Sequence, residues 1–338
     1  MLKIIARKIK RFFVVNNFIK YSKKKPSLRW GIIGTGYMSN TWSELILLSG
    51  RGILSSVCSR SNLKANNFKK KYGFKSSYQK LDQMILNEKN NLDVIYVATP
   101  ISSHYEIVKK CLNAKINVIV EKPATNNSNQ WEELINLSLK KDVVLLEAMW
   151  MDYLPTFSKA QEWIDSKKIG KIKELEVNFH KNIETQKGIL FDYGVYALYF
   201  LIKFIGGYPD SFAGDCDYDS NGNDINWAVH ATKKDINCVI KISSNTDALS
   251  KAIIYGEFGK IEWDTPFNRT NKVTLSHENK KRAHSEKFKY KFEGFEYQLE
   301  ELNKIITERN LSVVKEKQLL TLNTLKLGNQ LLNNMKLK

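Results

Sequence analysis

The chain has 338 residues, 43% of them apolar and 26% charged, and its 53 lysines and arginines against 35 acidic residues give a net charge of +18. At ~150 residues per domain that length calls for two domains and buries a core without disulfide or metal staples. The composition excludes collagen-like, disordered and disulfide-scaffold proteins. The four cysteines (Cys58, Cys111, Cys216 and Cys238) form no CxxC pair and none sits at zinc-ligand spacing with a histidine. They read as reduced, buried thiols, and the expected compartment is the cytoplasm.

The charge is uneven. Residues 1–30 carry ten basic side chains and no acidic one, which leaves 43 basic against 35 acidic over the rest. On a helical wheel, Leu2, Ile5, Ile9, Phe12 and Phe13 share one face, and Lys3, Arg7, Lys10 and Arg11 share the other. Such a basic amphipathic segment either makes a weak membrane-surface contact through residues 1–20 or is an extension with no membrane role. No apolar run is long enough for a signal-peptide core or a membrane span. No nucleic-acid reader motif is present, so a nucleic-acid partner is not expected.

Lys23-Lys24-Lys25-Pro26-Ser27 reads as a linker. From there the pattern predicts strands at 28–33, 53–58, 93–98, 117–120 and 143–146. They alternate with helices at about 39–48, 63–72, 81–86, 104–112 and 130–140. Alternation at this spacing predicts a doubly wound parallel sheet, the Rossmann arrangement. After Met151 the pattern changes. A helix at about 155–165, a strand at 172–179 and a helix at 194–205 lead into consecutive strand-like runs at 226–232, 237–243, 251–255, 260–263 and 272–275. Two helices, at about 295–308 and 316–334, close the chain. The fold class is thus α/β, with an N-terminal Rossmann domain followed by a C-terminal α+β domain built on a large, mostly antiparallel, open-faced sheet. The expected boundaries are a basic extension at 1–27, a dinucleotide-binding domain at 28–150 and a substrate and dimerisation domain at 151–338.

The first motif is Gly34-Thr35-Gly36-Tyr37-Met38-Ser39, directly after the first strand and opening a helix. Gly34 permits the tight turn, Gly36 lets backbone N–H groups approach a pyrophosphate, and Ser39 is small enough for close helix–strand packing. The second strand ends in Cys58-Ser59-Arg60 with no acidic residue for a ribose 2′-hydroxyl. Ser59 and Arg60 suit a 2′-phosphate, so NADP is the expected cofactor, with NAD possible; the alternative is that Arg60 only begins the next helix's solvent face. Glu121-Lys122-Pro123 lies at the carboxyl end of the fourth strand, where such sheets place ligands. There Lys122 can stabilise alkoxide charge or be a surface lysine in a turn.

Further motifs follow in order: Ala98-Thr99-Pro100 with His104, Glu121-Lys122-Pro123, Glu147-Ala148-Met149-Trp150, and Leu190-Phe191-Asp192-Tyr193-Gly194-Val195-Tyr196. With Gly34-x-Gly36 before them, the chain resembles the oxidoreductase family named for glucose–fructose oxidoreductase and inositol 2-dehydrogenase. It is most similar to the dimeric dihydrodiol/xylose dehydrogenase branch, over about residues 28–330. The resemblance implies an NAD(P)-dependent dehydrogenase or reductase that moves a hydride between the nicotinamide and a sugar, polyol or related cyclic hydroxyl or carbonyl compound. It implies a homodimer and catalytic Lys122, Asp192 and Tyr196; no metal is expected, since no His, Asp and Glu cluster of ligand spacing appears. Asp192 and Tyr196, four apart, would face the same way on a helix starting near Asp192. It also implies cofactor contacts from Gly34, Thr35, Gly36, Tyr37, Met38, Ser59, Arg60, Thr99, Pro100, His104, Glu121, Lys122 and Trp150. Three alternatives remain open: His104 as a capping residue, Trp150 as a wedge between domains, and Tyr196 as a packed aromatic. His180 and Lys181 fall in a loop shorter than the family's usual one, as substrate contacts or solvated residues. A non-catalytic dinucleotide sensor on the same fold is the competing function.

Overall fold

A computed structural model describes residues 28–183, 188–277 and 282–336. The basic extension and its linker lie outside the described residues. The chain divides into two compact units, one of residues up to Met149 with Phe295–Gln318, the other of Trp150–Gly294 with Leu319–Lys338.

The first unit is a six-stranded parallel sheet. In chain order its strands are β1 (Arg29–Ile33), β2 (Ile53–Cys58), β3 (Ser76–Tyr78), β4 (Val94–Val97), β5 (Asn117–Val120) and β6 (Leu145–Glu147), placed β3-β2-β1-β4-β5-β6. The helices between them are α1 (Tyr37–Ser49), α2 (Asn62–Tyr72), α3 (Leu81–Glu88), α4 (His104–Asn113) and α5 (Ser128–Lys141). A parallel sheet is covered on both faces, which is why β4 is buried at every position. Ser61 caps α2 by accepting from the Lys64 N–H, and Asn127 caps α5 by accepting from Gln130. The strand order reverses between β1 and β4, so the loops after these two strands flank the switch point where α/β sheets bind ligands.

Two features of this unit differ from the sequence expectation. β3 is an extra edge strand, three residues long and without a buried side chain, so it has no apolar pattern to detect. The helix α8 (Phe295–Glu308), with the start of α9 (Leu311–Lys336), belongs to this unit rather than to the C-terminal one. The cause is burial: Phe295, Leu299, Leu302, Ile305 and Ile306 of α8 are core residues. Asn303 donates to the Arg51 carbonyl at 2.7 Å, and Gln318 donates to the Leu145 carbonyl at 3.0 Å.

The second unit opens with a short turn, Trp150–Tyr153, and α6 (Pro155–Asp165). Its eight-stranded sheet comprises β7 (Ile172–His180), β8 (Ser211–Tyr218), β9 (Asp224–Lys233), β10 (Ile236–Ser243), β11 (Ala252–Gly256), β12 (Lys260–Trp263), β13 (Lys272–Ser276) and β14 (His284–Lys287). The order is β14-β13-β12-β11-β7-β10-β9-β8, and every pairing is antiparallel except β7 with β10. The helix α7 (Val195–Phe204) is buried at nine of its ten residues. Rings from α6, α7 and the sheet form one cluster, with Phe157, Phe200 and Phe204 each 5.0–5.5 Å from Trp263. Among the described residues no helix is long and apolar enough to cross a membrane, and no group of three or more His, Cys, Asp or Glu is placed to hold a metal ion.

Candidate active site

In the first unit the glycine turn has the conformation its sequence requires. Gly34 sits at φ +110°, and a Cβ there would lie 2.3 Å from the Ala98 carbonyl oxygen. Only glycine allows β1 to turn this tightly against the end of β4. Gly36 is the N-cap of the 13-residue α1 and supplies no side-chain cap; a Cβ there would meet nothing within 4 Å. The uncapped N–H groups of the first turn therefore open at the positive end of the helix, with room for a diphosphate to reach them. That geometry fits a dinucleotide. Tyr37, the first residue of α1, is 73% exposed. Thr35 and Ser59 come within 3.4 Å through their hydroxyls, joining the turn to the end of β2. Arg60 beside them is exposed.

His104 is 1% exposed, and both ring nitrogens face main-chain carbonyls, Nε2 at 2.8 Å from Thr99 and Nδ1 at 3.1 Å from Pro123. A neutral imidazole has one N–H, so two carbonyls favour the charged ring. Burial opposes this and is the larger effect, holding the His104 pKa below the ordinary value. The residue staples the loop after β4 to the loop after β5. The first of these loops is tightened further by Ser103, whose hydroxyl donates to the Pro100 carbonyl and pairs with the Thr99 hydroxyl, each at 2.8 Å.

Glu121 is buried, which pushes its pKa up; the hydrogen bond from Tyr96 and the charge of Lys122 work in the opposite direction. Tyr96 itself stacks on Trp42 at 4.8 Å. Glu147, at the end of β6, accepts the Ala124 N–H at 2.8 Å. Two buried carboxylates thus frame the segment that carries the half-buried Lys122. Sequence reasoning gave no role to Tyr96, Trp42 or Glu147. The available signal was a carboxylate ending each of two apolar strands.

The second unit holds Asp192 and Tyr196. Leu190–Gly194 is a π-helical turn, and α7 begins only at Val195. Such wide turns concentrate at functional sites. Asp192 is exposed and lies in the π turn, while Tyr196 is 7% exposed and lies on α7, so the α-helix expected from near Asp192 starts three residues later. The turn is held from below by Asp224, which accepts the Leu190 N–H and the Trp227 indole N–H at 2.8 Å each. Gly188 makes this possible: it sits at φ +84°, and a Cβ would lie 1.7 Å from the Asp224 carboxylate. Trp150 lies in this unit, not in the nucleotide-binding one, and its indole N–H donates to the Tyr196 hydroxyl at 3.2 Å. Phe179 stacks on both Tyr193 and Tyr196, at 5.8 and 6.0 Å. Lys181 lies 3.7 Å over the Tyr193 ring. His180 is the last residue of β7 rather than a loop residue, paired with Ser243 and exchanging hydrogen bonds with Ser250. Its burial lowers its pKa, and Lys241 adds to that.

Residues 28–149 match the oxidoreductase family model with an NAD-binding Rossmann fold, and residues 157–262 match that family's C-terminal domain, GFO/IDH/MocA. The chain belongs to that family. A trans-1,2-dihydrobenzene-1,2-diol dehydrogenase from Xenopus laevis is 31% identical over 197 residues, covering 54% of this chain and 58% of the relative. A scyllo-inositol 2-dehydrogenase (NADP(+)) from Bacillus subtilis is 26% identical over 265 residues, 73% of this chain and 79% of the relative. Among solved structures, a 3-ketoreductase from Actinomadura kijaniata, crystallised with NADP and TDP-benzene, superposes with a TM-score of 0.78 at 17% identity, covering 91% of this chain and 98% of that one. An oxidoreductase from Sinorhizobium meliloti reaches a TM-score of 0.83 at 17% identity over 92% and 98%. At these identities the structures establish the shared GFO/IDH/MocA fold. The family assignment also accounts for the two-unit division, in which the dinucleotide loop and the Asp192–Tyr196 turn are carried by different units.

Proposed function

We propose that the protein is an NADP-dependent dehydrogenase or reductase acting on a hydroxyl or carbonyl carbon of a sugar, polyol or related cyclic compound. The observation that carries the reading is the glycine turn: Gly34 at a positive φ, an uncapped α1 at Gly36, and Ser59 with the exposed Arg60 beside it. The named activities of the amphibian and Bacillus relatives support the substrate class.

The N–H groups at the start of α1 would take the diphosphate, and Ser59 and Arg60 the 2′-phosphate. A bound nicotinamide supplies the hydride acceptor or donor. Lys122 would place positive charge on the reacting oxygen, which stabilises an alkoxide as it develops. Tyr196 would exchange the proton with that oxygen, and Asp192 would orient the substrate. His104 acts on the cofactor side by holding the Thr99-Pro100 and Lys122-Pro123 segments, rather than by touching a ligand.

The test is fluorescence titration with NADPH and with NADH, followed by a screen of sugars and diols. Tight NADPH binding, at least ~10-fold tighter than NADH, and turnover of a polyol or sugar are expected; tenfold is about 1.4 kcal/mol. Binding of neither dinucleotide would refute the reading. Binding without turnover on any substrate would favour a sensor on the same fold.

A further inference from the structure

We infer that Trp150, with the Arg269 guanidinium over its ring, is a positioning residue for proton transfer at Tyr196. The inference rests on the reading of Tyr196 as the proton-exchanging group. All its observations lie within the second unit.

The indole N–H of Trp150 can only donate, so the Tyr196 oxygen is the acceptor in their 3.2 Å bond. A donor held on a phenolic oxygen favours the phenolate over the phenol, because hydrogen bonding to the charged form stabilises that form. Trp150 is 4% exposed, so little water competes for this bond. On its other side the Arg269 guanidinium lies 5.6 Å from the centre of the Trp150 ring. A cation over an indole face draws electron density from the ring and makes its N–H a stronger donor.

The donor is also fixed in place. Two residues after Trp150, Asp152 accepts from the Tyr199 hydroxyl at 3.0 Å and pairs with Lys203 at 2.7 Å. Tyr196, Tyr199 and Lys203 follow one another on α7 at intervals of three and four, which puts them on one face of the helix. The turn carrying Trp150 is therefore clamped to the helix carrying Tyr196, and the two cannot drift apart separately. Among the described residues of this unit, further charged or titratable groups on the elements around Tyr196 include Asp192 and Tyr193 in the preceding turn, Lys181 over Tyr193, and His180 at the end of β7. Lys241 of β10 is exposed.

In the oxidative direction the substrate hydroxyl proton passes to the Tyr196 phenolate as the carbon-bound hydrogen leaves, with its electron pair, for the oxidised dinucleotide. Losing the Trp150 donor makes the phenolate harder to form. The experiment is the pH profile of kcat/KM for alcohol oxidation in wild type, Tyr196→Phe, Trp150→Phe, Arg269→Gln, Arg269→Lys and the Trp150→Phe/Arg269→Gln double variant. A parallel alkaline titration follows tryptophan emission in the protein without cofactor. Trp150→Phe is expected to move the rising limb up by about one pH unit, a tenfold loss below it. Arg269→Gln, a change at an exposed residue that leaves the core intact, is expected to move it the same way by about two- to threefold in rate. Arg269→Lys restores most of that, and Arg269→Gln adds nothing once Trp150 is phenylalanine. In the emission titration, a quenching step on Tyr196 ionisation is expected in wild type and absent from both Tyr196→Phe and Trp150→Phe. Unmoved limbs in the Trp150 and Arg269 variants, or fully additive effects, would overturn the inference. If Tyr196→Phe turns over normally, the assignment of Tyr196 fails instead; if it is inactive while Trp150→Phe keeps the wild-type limb, only the inference fails.

Discussion

The two glycines of the dinucleotide turn make separable predictions. In Gly34→Ala the new methyl would lie 2.3 Å from the Ala98 carbonyl oxygen and 2.9 Å from its carbon, on backbone that cannot rotate away, and the residue would keep φ +110°. A strained φ of this kind costs about 1–3 kcal/mol. Displacing β4 by the ångström or so needed costs about 1–3 kcal/mol more. At about 2–4 °C per kcal/mol for a unit of this size, the first unfolding transition should fall by roughly 4–24 °C. Gly36→Ala is the opposite case. Its φ is −81°, which alanine adopts freely, and its methyl meets nothing within 4 Å. Stability should hold or rise slightly, because alanine restricts the unfolded chain by about 0.4–1 kcal/mol. The methyl would nonetheless stand where a diphosphate must approach, and NADPH affinity should fall by at least ~10-fold. Differential scanning calorimetry of the apoprotein and NADPH fluorescence titration measure the two quantities independently. A Gly36→Ala protein that binds NADPH like wild type would refute the placement of the diphosphate, whatever its stability. A Gly34→Ala protein with an unchanged transition would refute the packing argument.

Three further outcomes are expected. Arg60→Asp should reverse the cofactor preference, weakening NADPH by about tenfold or more while sparing NADH, as read by paired titrations. Because burial holds the folded His104 pKa below its unfolded value, the unfolded chain takes up a proton that the folded chain resists. Stability should therefore fall as pH drops below about 6.5, with a slope contribution of up to about 1.4 kcal/mol per pH unit, and His104→Gln should flatten that slope in urea titrations at pH 5 to 7. Gly188→Ala should drive the Asp224 carboxylate out of its bond to Leu190, lowering kcat while leaving NADPH affinity intact; loss of NADPH affinity with normal kcat would contradict this.

Strands buried on both faces, such as β4, were legible as short apolar runs, and the glycine turn was legible because its two glycines face different steric demands. Of the four edge strands only β6 was legible, because it begins with two leucines and is buried at every position. β8, β14 and β3 carry small, acidic or polar side chains such as Asp215, Asp217 and Glu286, and this is how sheet edges avoid pairing with other chains. Lys122, Asp192 and Tyr196 were named from ordered motifs. The groups around them were invisible for a different reason. Tyr96 on Glu121, Arg269 on Trp150 and Asp224 under the π turn join residues 25 to 119 positions apart, and no local period encodes such pairs. The placement of α8 was missed likewise, since an amphipathic helix states that it covers a core but not which one.

That placement has a consequence for biosynthesis. The nucleotide-binding unit is not contiguous: Leu299, Leu302 and Ile305 complete its core, and Gln318 hydrogen-bonds to the Leu145 carbonyl across 173 residues. On the ribosome the sheet of β1–β6 emerges first and must wait, with apolar surface uncovered, while Trp150–Gly294 is made. Closing a loop of that length is entropically cheap, because the cost grows only logarithmically. It is slow, however, since non-local contacts delay folding. The segment from Phe295 onward is therefore the step at which the nucleotide-binding unit becomes finished, and a nascent chain halted before α8 would present a nearly complete nucleotide-binding sheet to chaperones rather than to its cofactor.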